Sequence, residues 1–363
     1  MNFTAGIFIV VDLLAATITV LPLLPTQKWW SRGGEFPRMQ IAFVIAVLLI
    51  LQLIWLSNAW LMHAVLLACL MYQLFWILPY TPFFRREVLD ASTSLDEGRR
   101  ISVLVANVLM SNRNSQRLGE HIANRDPDVI LLLETDAWWE DRMRYLRDSH
   151  PHGLDCPLDN RYGMHLYSRL TLENPALEFL VDDDVPSMHV GVNLPSGHCV
   201  RFHALHPTPP SPTENPTSRE RDAEVLVIGR AISKDHCRVI VTGDFNDVAW
   251  SPTTRLFRKI SRQLDPRVGR GMFSTFHANW PWLRWPLDHV FHSDDFTLVD
   301  IDVLPRFGSD HLPIFYTLQY EPSADAVQDA PQPESDDHAE ASEKIRKKGA
   351  RPDDVPDPSR DRK

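Results

Sequence analysis

The sequence predicts an α/β sandwich carried behind an all-α membrane anchor, and three observations lead there. Residues 1–82 hold three long apolar runs, residues 100–320 alternate short strand-length runs with amphipathic helical segments, and residues 321–363 are charged and nearly free of large apolar side chains. The average composition, 44% hydrophobic and 23% charged, hides this division.

The apolar runs are Phe3 to Leu24, Gln40 to Leu56 and Met62 to Pro79. A membrane helix needs about 20 predominantly apolar residues, so three spans are expected, the last two forming a hairpin at Ser57 and Asn58. A cleaved signal peptide would begin with a basic stretch, whereas no Lys or Arg precedes Lys28. Lys28, Arg32 and Arg38 follow the first run, and Arg85 and Arg86 follow the third. With three spans both basic segments fall on one side, which the loop-charge rule makes cytoplasmic. The expected location is therefore a cell membrane, of the bacterial inner-membrane type, with several spans and a cytoplasmic catalytic domain. Trp29, Trp30, Trp55 and Trp60 suit interfacial anchors, and Asp12 is expected near a span end, in reach of water. Residues 83–99 form a linker.

Ile101 to Leu109 and Asp128 to Glu134 are near-continuous apolar runs, the pattern of strands buried on both faces. Ser115 can cap a helix through Leu118 and Ile122. Further strands are expected at His165–Ser168, Met188–Leu194, His198–His206, Arg238–Gly243, Leu287–His292 and Leu312–Leu318, with a helix at Arg219–Ser233. This mixture packs as layers. From Glu321 the chain carries 12 acids against 8 bases and is expected to be a disordered tail. The net charge of −10 excludes a generic polyanion binder, so any nucleic-acid contact needs a local patch. The four cysteines, Cys69, Cys156, Cys199 and Cys237, show no CxxC spacing and suggest no disulfide framework.

Chemistry concentrates at strand ends. Val239 to Asp247 reads VIVTGDFND, a buried strand running into Asp244 and Asn246. Residues two apart in a strand share a face, roughly 6.6 Å apart, so a carboxylate and an amide are expected side by side with Phe245 turned into the core. Gly308 to Ile314, GSDHLPI, offers Asp310 beside His311, an imidazole able to act as acid, base or cation. Glu134 ends one apolar strand, Asn107 lies near the end of another, and Asp288 opens PLDHVF. In HCVRFHALH, Cys199 and His203 sit about 13 Å apart and His198 and His206 about 26 Å apart along the strand, too far to share a zinc ion. His206, at the strand's end, remains a single catalytic candidate.

Taken in order, Asn107, Glu134, His206, Asp244 with Asn246, Asp288, and Asp310 with His311 resemble the endonuclease/exonuclease/phosphatase superfamily, the deoxyribonuclease I-like enzymes. GDFN and SDH are the most specific pieces, and the resemblance spans about Ile101 to Tyr320. It implies a four-layer αββα sandwich with the active site at one edge of the two sheets. It further implies a Mg²⁺ cofactor, with Mn²⁺ as substitute, held by Glu134 with help from Asn107 and Asp310. Asp244 would orient the attacking water and Asn246 would bind phosphate. His311, oriented by Asp288, would stabilise transition-state charge, and His206 would assist the leaving oxygen. Tyr162 or Tyr167 would match an active-site tyrosine of the repair branch. Val108 stands where several relatives are acidic, which leaves a second metal open.

The resemblance implies a phosphate-ester substrate, nucleic acid or lipid headgroup, and the expected partner is the bilayer itself. A nuclease-like enzyme is the first reading, and a phospholipid or phosphoinositide headgroup hydrolase is the alternative. A small-monoester phosphatase and an inactive scaffold are further readings. Phe276 to Pro286, FHANWPWLRWP, supplies Trp280 and Arg284 as candidate substrate contacts. The basic stretch Arg255, Arg258, Lys259, Arg262, Arg267 and Arg270 could track phosphates.

Overall fold

The computed structural model describes residues 3–358 apart from Pro25, 93–95 and 234–237. Cys237 therefore falls outside the described residues. Three helices are long and apolar enough to cross a membrane: α1 (Phe3–Val20), α3 (Arg38–Trp55) and α4 (Trp60–Ile77), with a short α2 (Trp29–Arg32) between the first two. Their outward side chains, Phe43 and Ile54 among them, are exposed. Polar groups link the helices inside the bundle: Gln52 donates to Asp12 at 2.7 Å, Gln73 to Thr19 at 3.1 Å and Arg38 to Gln73 at 3.0 Å. Such pairs hold membrane helices together where apolar contact gives no preference. Asp12 is buried in that interface, so the expectation that it reaches water from a span end is corrected.

Two sheets follow. The first, in order β10-β11-β1-β2-β4-β3, contains β1 (Arg100–Asn107), β2 (Val129–Leu133), β3 (His152–Cys156), β4 (Met164–Ser168), β10 (Phe296–Val303) and β11 (Ile314–Tyr320). The second, β5-β6-β7-β8-β9, contains β5 (Leu172–Glu178), β6 (Ser187–Asn193), β7 (Cys199–Leu205), β8 (Val239–Asp244) and β9 (Asp288–His292). Alternate residues along β1 and β2 (Val103, Val105, Leu131, Leu133) face Val190, Phe202 and Ile240 of the second sheet. The intervening residues, Leu104, Ala106, Ile130 and Leu132, pack under α5 (Ser115–Arg125) and α6 (Ala137–Met143). Both faces of these strands are buried, which is why their sequences lack polar alternation.

On the other outer face lie α7 (Arg219–Ile232) and α8 (Pro252–Ser261), with α9 (Ser335–Arg346) against them. The layers are helix, sheet, sheet, helix, and the fold is the α/β sandwich of four layers. Helix α9 corrects the expectation of a disordered tail after Glu321. Its Ala341 and Ile345, four residues apart, enter the cluster of Val225, Leu226 and Phe257, and Lys259 pairs with Glu334 at 2.7 Å. Burying Ile345 contributes about 1.5–3 kcal/mol, enough to seat a short helix in a groove already formed. Because α9 covers its outer side, α7 is buried from Arg221 to Gly229.

The anchor and the sandwich share packing. Ala42, Ile77 and Tyr80 belong to one cluster with Val248, Trp250, Val268 and Leu287. Tyr80 donates to the Ala249 carbonyl at 2.9 Å, and Trp250 donates to the Glu35 carbonyl at 2.7 Å. The connection after α1 also touches the sandwich, where Trp29 N donates to Pro216 O at 3.1 Å.

Candidate active site

Strand directions bring the chemistry together. β1 runs parallel to β2, and β7 parallel to β8, so Asn107, Glu134, His206 and Asp244 come at or just after the ends of four strands at the same edge. β9 and β11 run antiparallel to β8 and β1, so their starting ends bring Asp288 and His311 to that edge too. Gly243 makes the close approach possible. Its φ is 137°, and a Cβ there would overlap the Leu205 carbonyl oxygen of β7, so no larger residue fits between strand and site.

Asp244 is the meeting point. Its Oδ2 accepts from Asn107 Nδ2 at 3.1 Å and lies 3.4 Å from His311 Nε2 and 3.8 Å from His206 Nε2. Its Oδ1 accepts from the Asn246 amide at 2.9 Å. His311 Nδ1 contacts Asp288 Oδ2 at 2.8 Å, so the imidazole is gripped by a carboxylate at each nitrogen. Burial alone would lower the His311 pKa, but Asp244 and Asp288 outweigh it and raise it to about 10. Burial raises Asp244, while the His311 charge opposes it. Asp288 ends below its ordinary value, because His311 overcomes the effect of burial. His206 is lowered, mainly by burial, and its Nδ1 has no hydrogen-bond partner among the described residues. The two imidazoles are thus pushed in opposite directions, His311 toward the cation and His206 toward the neutral form, an arrangement characteristic of acid–base sites.

Glu134 stands opposite. Asn107 Nδ2 donates to its Oε1 at 2.9 Å and Met110 N to its Oε2 at 3.3 Å. Leu109 N donates to Asn107 Oδ1 at 3.0 Å, which fixes the amide with its nitrogen toward the carboxylates. Burial raises Glu134, offset by Asn107 and His311, with nearby Asp310 raising it further. Ser309 ties the edge together by donating to the Asn107 carbonyl at 2.8 Å and accepting from His311 N at 3.0 Å.

Two donor sets compete for a metal ion. Asp244, Asp288 and His311 bring ligand atoms within 4.8 Å of one another. In that set His311 is already engaged at both ring nitrogens, Nδ1 against Asp288 at 2.8 Å and Nε2 3.4 Å from Asp244. Partly exposed Glu134 and Asp310 supply oxygen only, the donor type that Mg²⁺ takes.

The sequence candidates divide in the structure. Asn107, Glu134, His206, Asp244, Asp288, Asp310 and His311 share the edge. Asn246 adjoins Asp244, but its φ of 50° turns the chain and its Nδ2 donates to Pro207 O at 2.9 Å, so the extended side-by-side geometry is corrected. Trp280 is 58% exposed at a loop tip, and Arg284 donates to the Ala278 carbonyl at 2.7 Å, closing that loop on itself. The basic stretch is largely neutralised: Arg258 pairs with Glu87, Lys259 with Glu334, Arg267 with Asp265 and Arg270 with Asp90. Of the two tyrosines, Tyr162 is at the site, its ring 5.2 Å from His206 and its hydroxyl donating to Glu214 at 2.5 Å. Tyr167 packs in the outer layer among Leu118 and Trp139. Ser309 is the first residue of SDH, but its role as a tie between Asn107 and His311 needs the folded contact to be seen. Arg221, buried and bonded to Asn246 O at 3.0 Å and Asp247 at 3.2 Å, had no sequence signal.

A two-sheet sandwich with carboxylates, an amide and paired imidazoles at one edge defines a phosphoester-hydrolase type of site. A profile of the Endonuclease/Exonuclease/phosphatase family matches residues 104–311, more than half of the chain. The chain belongs to that family. Among solved structures, D. rerio TDP2 complexed with a single-strand DNA product is similar at 16% identity and TM-score 0.50, covering 61% of this chain and 99% of that one. The human Nocturnin catalytic domain with a bound sulfate anion is similar at 17% identity and TM-score 0.50, covering 66% and 99%. These two share the fold. No curated protein sequence matches the chain.

Proposed function

We propose that this protein is a membrane-anchored, divalent-metal-dependent phosphodiester hydrolase with a nuclease-like catalytic edge facing the cytoplasm. The observation that carries it is the Asp244 carboxylate, buried between Asn107, His206 and the Asp288-bound His311. Asp244 orients the attacking water and takes its proton, a role favoured by the raised affinity that burial gives it. The His311 imidazolium faces the oxygens that gain charge as phosphorus becomes five-coordinate, and Asp288 keeps it protonated and aimed. His206 lies across Asp244 from that cation and serves the departing oxygen. Glu134 and Asp310 would hold Mg²⁺ or Mn²⁺, whereas Asn107, expected to help as a ligand, has its oxygen taken by Leu109 N and its nitrogen setting the carboxylates in place. The bound ion supplies Lewis-acid polarisation of a phosphoryl oxygen.

Membrane attachment rests on the three apolar helices, and the cytoplasmic side on Lys28, Arg32, Arg38, Arg85 and Arg86. The test is hydrolysis of bis(p-nitrophenyl) phosphate by the full chain. Turnover is expected with Mg²⁺ or Mn²⁺ and is lost in chelator. Undiminished turnover in excess EDTA sinks the metal assignment, and no turnover with any divalent ion sinks the enzyme.

A further inference from the structure

The loop between Phe276 and Trp285 joins two places that matter. At its base, the Phe276 ring lies 4.9 Å from the His311 ring, Ala278 N donates to Asp310 O at 2.6 Å, and Leu312 N donates to Thr275 O at 3.0 Å. Its flanks pack on the membrane helices: Phe276 and Trp285 join Ala42, Leu70 and Leu74 in one cluster. At its tip, Gln40, the third residue of α3, donates to the Trp282 carbonyl at 2.7 Å. The tip is therefore level with the first turn of a span.

Its side chains do the opposite of what a solvated loop does. Trp282 is 80% exposed, Trp280 58% and Leu283 45%. Large apolar groups left exposed together mark an interaction surface, and tryptophan at the level of a span end belongs to the headgroup layer. Trp29 and Trp30, in the connection that precedes α3, are exposed as well.

We infer that the 276–285 loop docks in the interfacial layer of the bilayer that holds the spans, and that the site draws its substrate from that layer as the phosphodiester headgroup of a membrane lipid. The inference rests on the hydrolase reading above and names its substrate class. Continuity with the spans identifies the occupant: a surface level with the first turn of α3 meets lipid before any soluble partner. Charge agrees. The cleft beside Tyr162, about 690 Å³, is lined by Asp182, Asp184 and Glu214 with Arg161 as its one base. A long polyanion meets repulsion there, and the basic stretch at 255–270 is largely occupied by its own acids. In the reaction, water oxygen bonds to phosphorus, the P–O bond to one alcohol breaks, and that alcohol oxygen takes a proton. The product is a phosphomonoester, with no co-reactant besides water.

The test uses the full chain in phosphatidylethanolamine/phosphatidylglycerol vesicles with Mg²⁺, following new phosphomonoester by ³¹P NMR. Soluble bis(p-nitrophenyl) phosphate and a single-stranded oligonucleotide are assayed in parallel. Wild-type protein is expected to hydrolyse vesicle lipid. Trp282→Ser with Leu283→Ser lowers lipid turnover by about tenfold or more while soluble-diester turnover stays within roughly twofold, because apolar contact with the interface drives only the first. Trp282→Phe retains lipid turnover. Equal lipid turnover in the double variant and wild type overturns the docking role. Intact vesicle lipid beside cleaved oligonucleotide overturns the lipid substrate. If wild-type protein leaves even the soluble diester intact, the hydrolase reading itself fails, and this inference fails with it.

Discussion

The catalytic edge and the 276–285 loop touch at Phe276 and His311, yet each inverts the ordinary rule of burial. At the edge, polar and charged groups are buried: Asp244, Asp288, His206 and His311 are each under 5% exposed. At the loop tip, tryptophans are out. Burying charge is costly unless partners compensate, and here each carboxylate has an imidazole or amide against it. Exposing tryptophan is costly in water unless another phase receives it. Groups held against their solvation preference in both regions are what the two proposals draw on: a phosphate at one, lipid at the other.

The sharpest way to break this comparison is to remove charge from the edge. Asp244→Asn and His311→Ala are each expected to lose about 2.7–4 kcal/mol of transition-state stabilisation, about a hundred- to thousandfold in rate, by analogy with lost oxyanion donors. Initial rates on the soluble diester measure this. An Asp244→Asn enzyme that keeps more than about a tenth of the wild-type rate defeats the role given to that carboxylate. Next comes Glu134→Gln, which should weaken metal affinity on the order of ten- to hundredfold and regain part of its rate as Mg²⁺ is raised. A rate-against-Mg²⁺ titration that overlays wild type removes Glu134 from the metal site.

A pH experiment sharpens the same contrast without touching turnover. His311 has its pKa raised from 6.5 to about 10. Its contribution to stability is fully present below pH 6.5 and is lost as pH rises through about 10. In chelator-treated protein the melting temperature should fall across that window, and His311→Gln should lack that component. The smallest effect on turnover is expected from Ile345→Ala, in the cluster that seats α9 on α7 and α8. It removes buried methylenes from the α7–α9 contact, costing about 2–5 kcal/mol of stability, while the soluble-diester rate holds. Thermal melts beside rates separate the two, and a collapse of kcat in a folded variant would tie α9 to the site.

Much of this was legible because strands buried on both faces leave a plain mark. ISVLVAN and VILLLE are apolar up to a polar residue, and that residue is where the chain leaves the sheet. Asn107, Glu134 and Asp244 were readable that way, and Asp288 and His311 as polar residues leading into apolar strands. What stayed hidden depends on partners far along the chain. Tyr162 is assigned only once Glu214 and His206 stand beside it. The basic stretch looked free because Glu87, Asp90 and Glu334 come from other segments. Asn246 was misplaced because an extended geometry was assumed where the backbone turns left-handed. Helix α9 was missed because composition averages over a segment, whereas Ala341 and Ile345 needed only one groove.

The shared cluster of Tyr80, Trp250 and Leu287 has a kinetic consequence. A catalytic domain on a loose tether samples a volume, and its encounters follow bulk concentration. Here Tyr80 and Ile77 fix the domain to the base of α4, so its orientation to the bilayer is set when the chain folds. Encounters with the proposed lipid substrate would then occur in two dimensions, as lateral diffusion past a stationary mouth. Diluting vesicles in buffer should leave the rate per enzyme unchanged, whereas diluting the substrate lipid within the bilayer lowers it, and the natural unit of KM becomes a mole fraction of the surface.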